Sequence, residues 1–273
     1  MDLSDLKAYV RTDKMPIDYE FQNNIEDEKV SIYTDGNHKK LAVKKYDLAY
    51  LNKNLERCYN EISILKKLEG SQWIIELIDS FITIENDAYL LLSYYPHGDL
   101  YKLLDIMKRF EVVQIRNVVN QMLNILTYLR SMKIIHRDIK LENIIATDCN
   151  FLFGIKLIDF ECATIYDPKF PPIDNVGTHP YKAPEVEKNK FQDFKTDIWS
   201  LGVVIYSMKT CEQFNKRIAL RCPTLRNDRN LLNLLKGMWA KKPSKRFDIE
   251  KCLKHKWISI ERLCKNFGKI SRK

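Results

Sequence analysis

Glycine is scarce in this sequence and absent from its beginning: 8 occur in 273 residues, and none precedes Gly36. A glycine-rich loop that folds its backbone closely over a phosphate is therefore excluded from that opening stretch. No apolar run approaches the ~18 residues a membrane span requires, which excludes a transmembrane helix. The opening segment "MDLSDLKAYVRTDK" lacks an apolar core, so no secretory signal is expected. Paired cysteines are lacking too. The seven cysteines (Cys58, Cys149, Cys162, Cys211, Cys222, Cys252 and Cys264) are odd in number and scattered, with no C-x-x-C. That pattern argues against a disulfide framework or a zinc site, and predicts free thiols in a reducing compartment, the cytoplasm or the nucleus. Internal repeats and low-complexity segments are also missing.

What is present is an ordinary globular composition, 45% hydrophobic and 30% charged, with a net charge of +9. The positive balance fits a nucleic acid, an acidic surface or a bound polyphosphate equally well. The tail "KCLKHKWISIERLCKNFGKISRK" is the most basic segment. Its apolar residues Trp257, Ile260, Leu263, Cys264 and Phe267 recur at helical spacing, which predicts a terminal helix with a solvated lysine face, or else a nucleic-acid contact.

The pattern along the chain changes once. "KVSIYT" and "KLAVKKY" flank the turn-rich "DGNHK" and predict a hairpin; "NKNLERCYNEISILKKLEG" predicts a helix closed by Gly70; "SFITIENDAYLLLSYY" predicts two more strands. After "PHGD" the long periodic segments are helical: "LYKLLDIMKRF", "QIRNVVNQMLNILTYLRSM", "TDIWSLGVVIYSM" and "NLLNLLKGMWAK". Strands first and helices afterwards predict an α+β fold of two lobes, hinged near residues 93–98, with a ligand cleft between them.

The chemistry concentrates in "HRDIKLEN", His136 to Asn143. Asp138 can accept a proton from an attacking hydroxyl. Lys140 can neutralise a transferred phosphoryl group, and Asn143 can hold a metal. Sixteen residues beyond Asn143, Asp159 ends the apolar run "IKLIDF"; with Asn143 it would clamp a hard cation, Mg²⁺ or alternatively Mn²⁺, through oxygen ligands. Upstream, Lys44 in "LAVKK" and Glu61 in the predicted helix form a pair that aims an ammonium at phosphates. Downstream come "GTHPYKAPE", "DIWSLG" with Asp197, and "KPSKRF" with Arg246.

In this order and at these intervals, the residues resemble the eukaryotic-type serine/threonine protein kinase family, over roughly residues 19–260. The resemblance implies a bilobal fold: an N-terminal extension over 1–18, a small antiparallel-sheet lobe with one main helix over 19–95, and a larger helical lobe over 96–273 ending in a basic helix. It implies ATP and Mg²⁺ as cofactors and a protein hydroxyl as substrate. Lys44 and Glu61 become the ion pair, Asp138 the base, and Asn143 and Asp159 the metal ligands. Val30, Ala42 and Ile145 sandwich adenine, the backbone of Ser93 and Tyr95 bonds its edge, and Leu92 stands behind it. Lys140 with Thr178 marks the serine/threonine branch. Glu185 and Arg246 form a buried pair that ties down the activation segment. Asp99 and Glu142 receive an arginine that precedes the target residue. Asp174 stands where an activating phosphate usually sits, counting back from Gly177-Thr178, and pairs with Arg137. Compact length and the glycine-free loop further resemble the small kinases of baculoviruses, which implies a viral enzyme acting in infected insect nuclei on Arg-rich, DNA-condensing proteins.

Two features depart from the family. "NNIEDEKV" (Asn23 to Val30) stands where the glycine loop belongs, with Asn23, Ile25 and Glu28 at the glycine positions and acids at Glu26, Asp27 and Glu28. A carboxylate ~6 Å from a phosphate is repelled by about 3 kcal/mol at an effective dielectric of ~20, so the loop is expected to stay raised and to weaken nucleotide binding. The second is Glu161, which follows Asp159-Phe160 where the family has glycine; it is expected to stay solvated and to fix one backbone arrangement. The groups that bear charge in phosphoryl transfer are all present, so the sequence reads as an active kinase. A pseudokinase scaffold and a basic nucleic-acid-binding module on the same fold are the alternatives.

Overall fold

The structure, a computed structural model, describes residues 11–12, 20–26, 29–48, 53–83, 87–148, 154–215 and 217–259. The chain divides into two compact units, Met1–Gly98 with Lys156–Thr164, and Asp99–Ile155 with Ile165–Lys273.

The first unit is a sheet with one helix. Its strands are β1 (Arg11–Thr12), β2 (Glu20–Glu26), β3 (Val30–Thr34), β4 (Lys40–Asp47), β5 (Leu77–Ile82) and β6 (Asp87–Ser93), and helix α1 spans Lys53–Lys67. The spatial order is β1-β5-β6-β4-β3-β2. Neighbours from β2 to β6 pair antiparallel, while β1 joins β5 parallel at Arg11↔Phe81, so the N-terminal extension contributes a strand. The predicted β3–β4 hairpin is built by Asp35, whose carboxylate accepts the N–H groups of Asn37 (2.9 Å) and Lys39 (2.8 Å). Leu41 and Val43 of β4 are buried on one face, while the pattern breaks at Lys45, which is exposed, and at Tyr46, which is buried on the opposite face. Leu55, Cys58, Ile62 and Leu65 of α1 recur at helical spacing and are buried.

Lys156–Thr164 belongs to this unit although it follows residue 96. Backbone bonds from Leu157 N–H to Trp73 O (3.0 Å) and from Ile75 N–H to Leu157 O (3.1 Å) stitch it to the segment before β5. A division by sequence position alone, 19–95 and 96–273, misses this return of the chain.

Helices make up the second unit: α2 (Leu100–Met107), α3 (Val112–Ser131), α4 (Pro184–Glu187), α5 (Lys195–Thr210), α6 (Pro223–Arg226), α7 (Arg229–Met238) and α8 (Ile249–Leu253). In α3, Ile115, Val118, Val119, Met122, Leu126 and Leu129 form the buried stripe, whereas α5 is buried all round from Thr196 to Met208 and serves as the unit's core. Trp257 is buried but lies in a turn beyond α8, its indole N–H bonded to Asp228 at 2.8 Å. The predicted terminal helix thus does not include Trp257, and its remainder from Ile260 lies outside the described residues. Among the described residues no helix is long and apolar enough to cross a membrane. Cys58, Cys162, Cys211, Cys222 and Cys252 form no disulfide among the described residues, and Cys149 and Cys264 lie outside them.

Candidate active site

In the first unit, Lys44 is the centre. Its Nζ lies 2.9 Å from Glu61 Oε2 on α1 and 2.7 Å from Asp159 Oδ1. Burial alone would pull this ammonium down; Glu61 and Asp159 more than offset it and hold Lys44 well above its ordinary range, so it stays charged. Glu61 is 1% exposed and is met by three donors: Lys44, the Tyr46 hydroxyl at 2.5 Å, and the Phe160 N–H at 3.1 Å. The amide of Asn60 donates to the carbonyls of Ala163 (2.7 Å), Glu161 (3.3 Å) and Phe160 (3.4 Å). Adjacent residues of α1 thus hold the segment that carries Asp159.

Glu161 is not solvated as expected. Its side chain is 24% exposed and lies 3.7 Å from both Lys44 Nζ and Arg57 NH1. The left-handed backbone conformation falls instead on Asp159, at φ +63°, so the glutamate itself escapes strain. Val30 and Ala42 are register partners of Lys44 and Ile32 across β3–β4, and Ala42 faces Leu92 across β4–β6. Ser93 donates its N–H to Glu76 O at 3.0 Å, so of its two backbone groups the donor is already used. Lys156 Nζ lies 5.6 Å from the centroid of the Tyr95 ring. At the glycine-loop positions, Asn23 and Ile25 belong to β2, which pairs with β3 through two register irregularities; the side chains of Ile25 and Glu26, and all of Asp27 and Glu28, lie outside the described residues.

In the second unit, the strained loop His136–Asn143 is anchored from below. Asp197 on α5 accepts the N–H groups of His136 (2.9 Å) and Arg137 (2.8 Å), the latter at φ +69°. Burial pushes the Asp197 carboxyl up, and His136 pulls it back. The Asn143 amide donates to Asp138 O (2.8 Å) and Oδ2 (3.3 Å). Lys140 Nζ bridges Asp138 Oδ2 (3.3 Å) and the Thr178 hydroxyl (3.2 Å). The other Asp138 oxygen, Oδ1, is buried without a hydrogen-bond partner. Thr178 is set by Gly177: at φ +89°, a Cβ there would lie 2.4 Å from Arg137 O, so only glycine fits.

The activation segment is held at two points. Arg137 NH1 lies 2.5 Å from Asp174 Oδ1, and Gln192 donates its side-chain amide to Asp174 O at 2.7 Å. Further on, Arg246 NH1 and NH2 grip Glu185 at 2.5 and 2.8 Å, with the two side chains 0% and 4% exposed. Asp99 is 6% exposed and caps α2: its Oδ1 accepts the Lys102 N–H at 2.8 Å and its Oδ2 lies 3.5 Å from Lys102 Nζ. Glu142 keeps one buried carboxyl oxygen without a partner, and Ile145 bridges to Asp99 through the backbone. Sequence reasoning missed Arg57, Tyr46, Asn60 and Gln192, none of which carries a motif of its own.

Among the described residues no group of three His, Cys, Asp or Glu side chains forms a closed metal cage. Mg²⁺ does not require one, because it usually takes one or two protein oxygens and completes its shell with water and phosphate. Asn143 in the second unit and Asp159 in the first each carry an oxygen donor of the kind such an ion takes.

A family model, "Protein kinase domain", matches residues 29–258. The chain belongs to the protein kinase family. It is 34% identical to an Aurora kinase of Yarrowia lipolytica over 219 residues, 75% of this chain and 57% of that protein. It is 31% identical over 248 residues to a hormonally up-regulated neu tumor-associated kinase homolog B of Xenopus laevis, 82% and 38% of the two chains. A third similarity, 29% over 243 residues, is to the Mus musculus hormonally up-regulated neu tumor-associated kinase, 81% of this chain and 33% of that one. The kinase domain thus spans between a third and three fifths of these curated relatives' lengths.

Proposed function

We propose that this chain is an active serine/threonine protein kinase that transfers the γ-phosphoryl group of Mg-ATP to a protein hydroxyl, without a phosphate on its activation segment. The observation that carries the reading is Lys140, which joins Asp138 to Thr178 while the second Asp138 oxygen remains free to accept a proton. Asp138 takes the proton of the attacking hydroxyl. Lys140 neutralises charge on the group in flight, and Lys44 meets the α- and β-phosphates. Asn143 and Asp159 would hold the cation, whose chemistry is to neutralise the phosphates. Asp138→Asn keeps the shape and removes the base. Transfer from labelled ATP should fall by at least ~100-fold, in line with the 10²–10⁴ attributed to general-base catalysis. Equal incorporation by wild type and variant would point to a pseudokinase.

Constitutive activity rests on the Arg137–Asp174 pair. A phosphate carries ≈ −1.5 to −2 charge, and Asp174 supplies one permanent negative charge at that place. The hydroxyls between Asp159 and Glu185 are Thr164, Tyr166, Thr178 and Tyr181, and the last two lie at the segment's far end. Enzyme shown by mass spectrometry to be unphosphorylated should still transfer phosphate, and Asp174→Ala should slow it, with little further loss once Arg137 is also replaced. An inert dephosphorylated wild type would end this reading.

For the substrate we propose a serine or threonine preceded by arginine. Support comes from Glu142, which keeps a buried carboxyl oxygen without a partner and lines, with Thr178, Tyr181 and Phe214, a groove of about 670 Å³ within the second unit. Burial pushes the Glu142 carboxyl up, and an arriving guanidinium would favour its charged form through charge-assisted hydrogen bonds.

A further inference from the structure

The residue that most separates this chain from its family's pattern is also the most connected departure. Glu161 stands on the segment after Asp159, yet its carboxylate faces two other elements of the first unit. Oε2 lies 3.7 Å from Lys44 Nζ on β4 and 3.4 Å from the Tyr46 hydroxyl two residues along. Oε1 lies 3.7 Å from Arg57 NH1 on α1. Arg57 stands one helical turn before Glu61 and three residues before Asn60, so the same stretch of α1 supplies Arg57, Asn60 and Glu61 to this segment. A glycine here would leave the backbone bonds of Asn60 and Glu61 in place but remove every side-chain tie.

We propose that Glu161 is a positioning residue that clasps the Asp159 segment to α1 and β4. Resting on the kinase reading above, this means that Asp159 and the Lys44–Glu61 pair are assembled before nucleotide arrives. The charges explain why a third carboxylate is tolerated beside Glu61 and Asp159. Lys44 lies within 3.7 Å of all three acids, Arg57 adds a second cation at Glu161, and Tyr46 adds a neutral donor. When Asp159 turns towards a cation, Lys44 keeps Glu61 and Glu161 as counter-charges. Outward movement of α1 would separate Arg57 from Glu161, and reversal of the Asp159–Phe160 backbone would separate Glu161 from Lys44. The ionic clasp opposes both motions in the nucleotide-free chain.

The test is amide hydrogen exchange of the full chain without nucleotide, read by mass spectrometry, in wild type, Glu161→Gln, Arg57→Ala and the double variant. The clasp predicts exchange about tenfold faster in peptides covering 157–164 and 53–67 for each single variant, the double variant no worse than either, and unchanged exchange in α5. Arg109→Ala, which removes an exposed pair with Glu111, serves as the control and should alter neither region. In transfer assays the two single variants should lower kcat severalfold and leave the peptide KM unchanged. Unaltered exchange in 157–164 for both single variants overturns the clasp, whatever the activity. A wild type that transfers no phosphate overturns the kinase reading, while the exchange data still decide the clasp. Arg57 has a side chain 37% exposed, so its variant retains the test if Glu161→Gln does not fold.

Discussion

Removing the Glu185 carboxylate tests how the activation segment is fastened. Arg246 has no exposed side-chain surface and distributes its donors among Glu185, Ala240 O (3.2 Å) and Lys195 O (2.9 Å), with its guanidinium 5.1 Å from the centre of the Trp199 ring. Glu185→Ala leaves that cation buried beside two carbonyls and no anion. Breaking a buried pair from one side costs about 3–5 kcal/mol, because the remaining charge is uncompensated. For a unit of this size each kcal/mol lowers Tm by roughly 2–4 °C, so the expected loss is about 6–20 °C. Three of the four tryptophans, Trp199, Trp239 and Trp257, lie in the second unit, so fluorescence-detected urea unfolding reports mainly on it. The double variant Glu185→Leu/Arg246→Met should be less destabilised than either single change, since well-packed apolar replacements remove both desolvation penalties. A loss below ~1 kcal/mol for Glu185→Ala would place the pair among solvated surface bridges and refute the reasoning.

Calorimetry with an ATP analogue should show binding that requires Mg²⁺ and is modest, and restoring glycine at Asn23, Ile25 and Glu28 should tighten it; tight binding in EDTA would contradict this. Glu142→Gln should weaken the preference for arginine before the target residue on a peptide array by about tenfold, the scale of one charge-assisted bond worth ~1.5 kcal/mol, and an acidophilic wild-type profile would reject it. The neutral His255 ring accepts the Trp257 N–H at Nδ1 (3.2 Å) and faces Asn233 Oδ1 at Nε2 (3.0 Å). Burial holds its pKa below the ordinary value of about 6.5, so its contribution is present above that pH and is lost as pH falls through the lower folded value. The Tm difference between pH 7.5 and pH 5.5, about one unit either side of an ordinary histidine, should be smaller in His255→Gln than in wild type.

The architecture was legible where periodicity is strong. Residues Lys53–Lys67 and Val112–Ser131 carry apolar stripes long enough to fix type and approximate ends, and "HRDIKLEN" joins chemistry to a spacing that chance seldom produces. What stayed hidden has physical causes. Asp99, directly before "LYKLL", also satisfies a free N–H of a helix start, a local bond that a search for substrate-facing acids does not reveal. Glu161 was expected in water because an acid with no sequence neighbour of opposite charge has no visible partner; Arg57 lies 104 residues away and meets it only once the chain returns through Lys156–Thr164. Gln192 and Asn60 were illegible for the same reason. Their bonds go to carbonyls, which carry no side-chain signature.

Both carboxylates that depart from the family's pattern, Asp174 and Glu161, stand where change is ordinarily introduced, one by adding a phosphate and the other by a glycine's backbone freedom. Each is paired with an arginine, Arg137 or Arg57. The two pairs differ in exposure and hence in expected strength. Asp174 is 53% exposed against an Arg137 side chain at 8%, so salt should screen its bond only in part, while Glu161 at 24% is further shielded and also faces Lys44. On the proposed reading, fixed charges substitute for switching: the first unit keeps its lysine, glutamate and aspartate assembled, and the second keeps its activation segment pinned at Asp174 and Glu185. Such a kinase would be controlled by its abundance and by its access to substrate, because neither of its two ionic fastenings depends on another enzyme to make it.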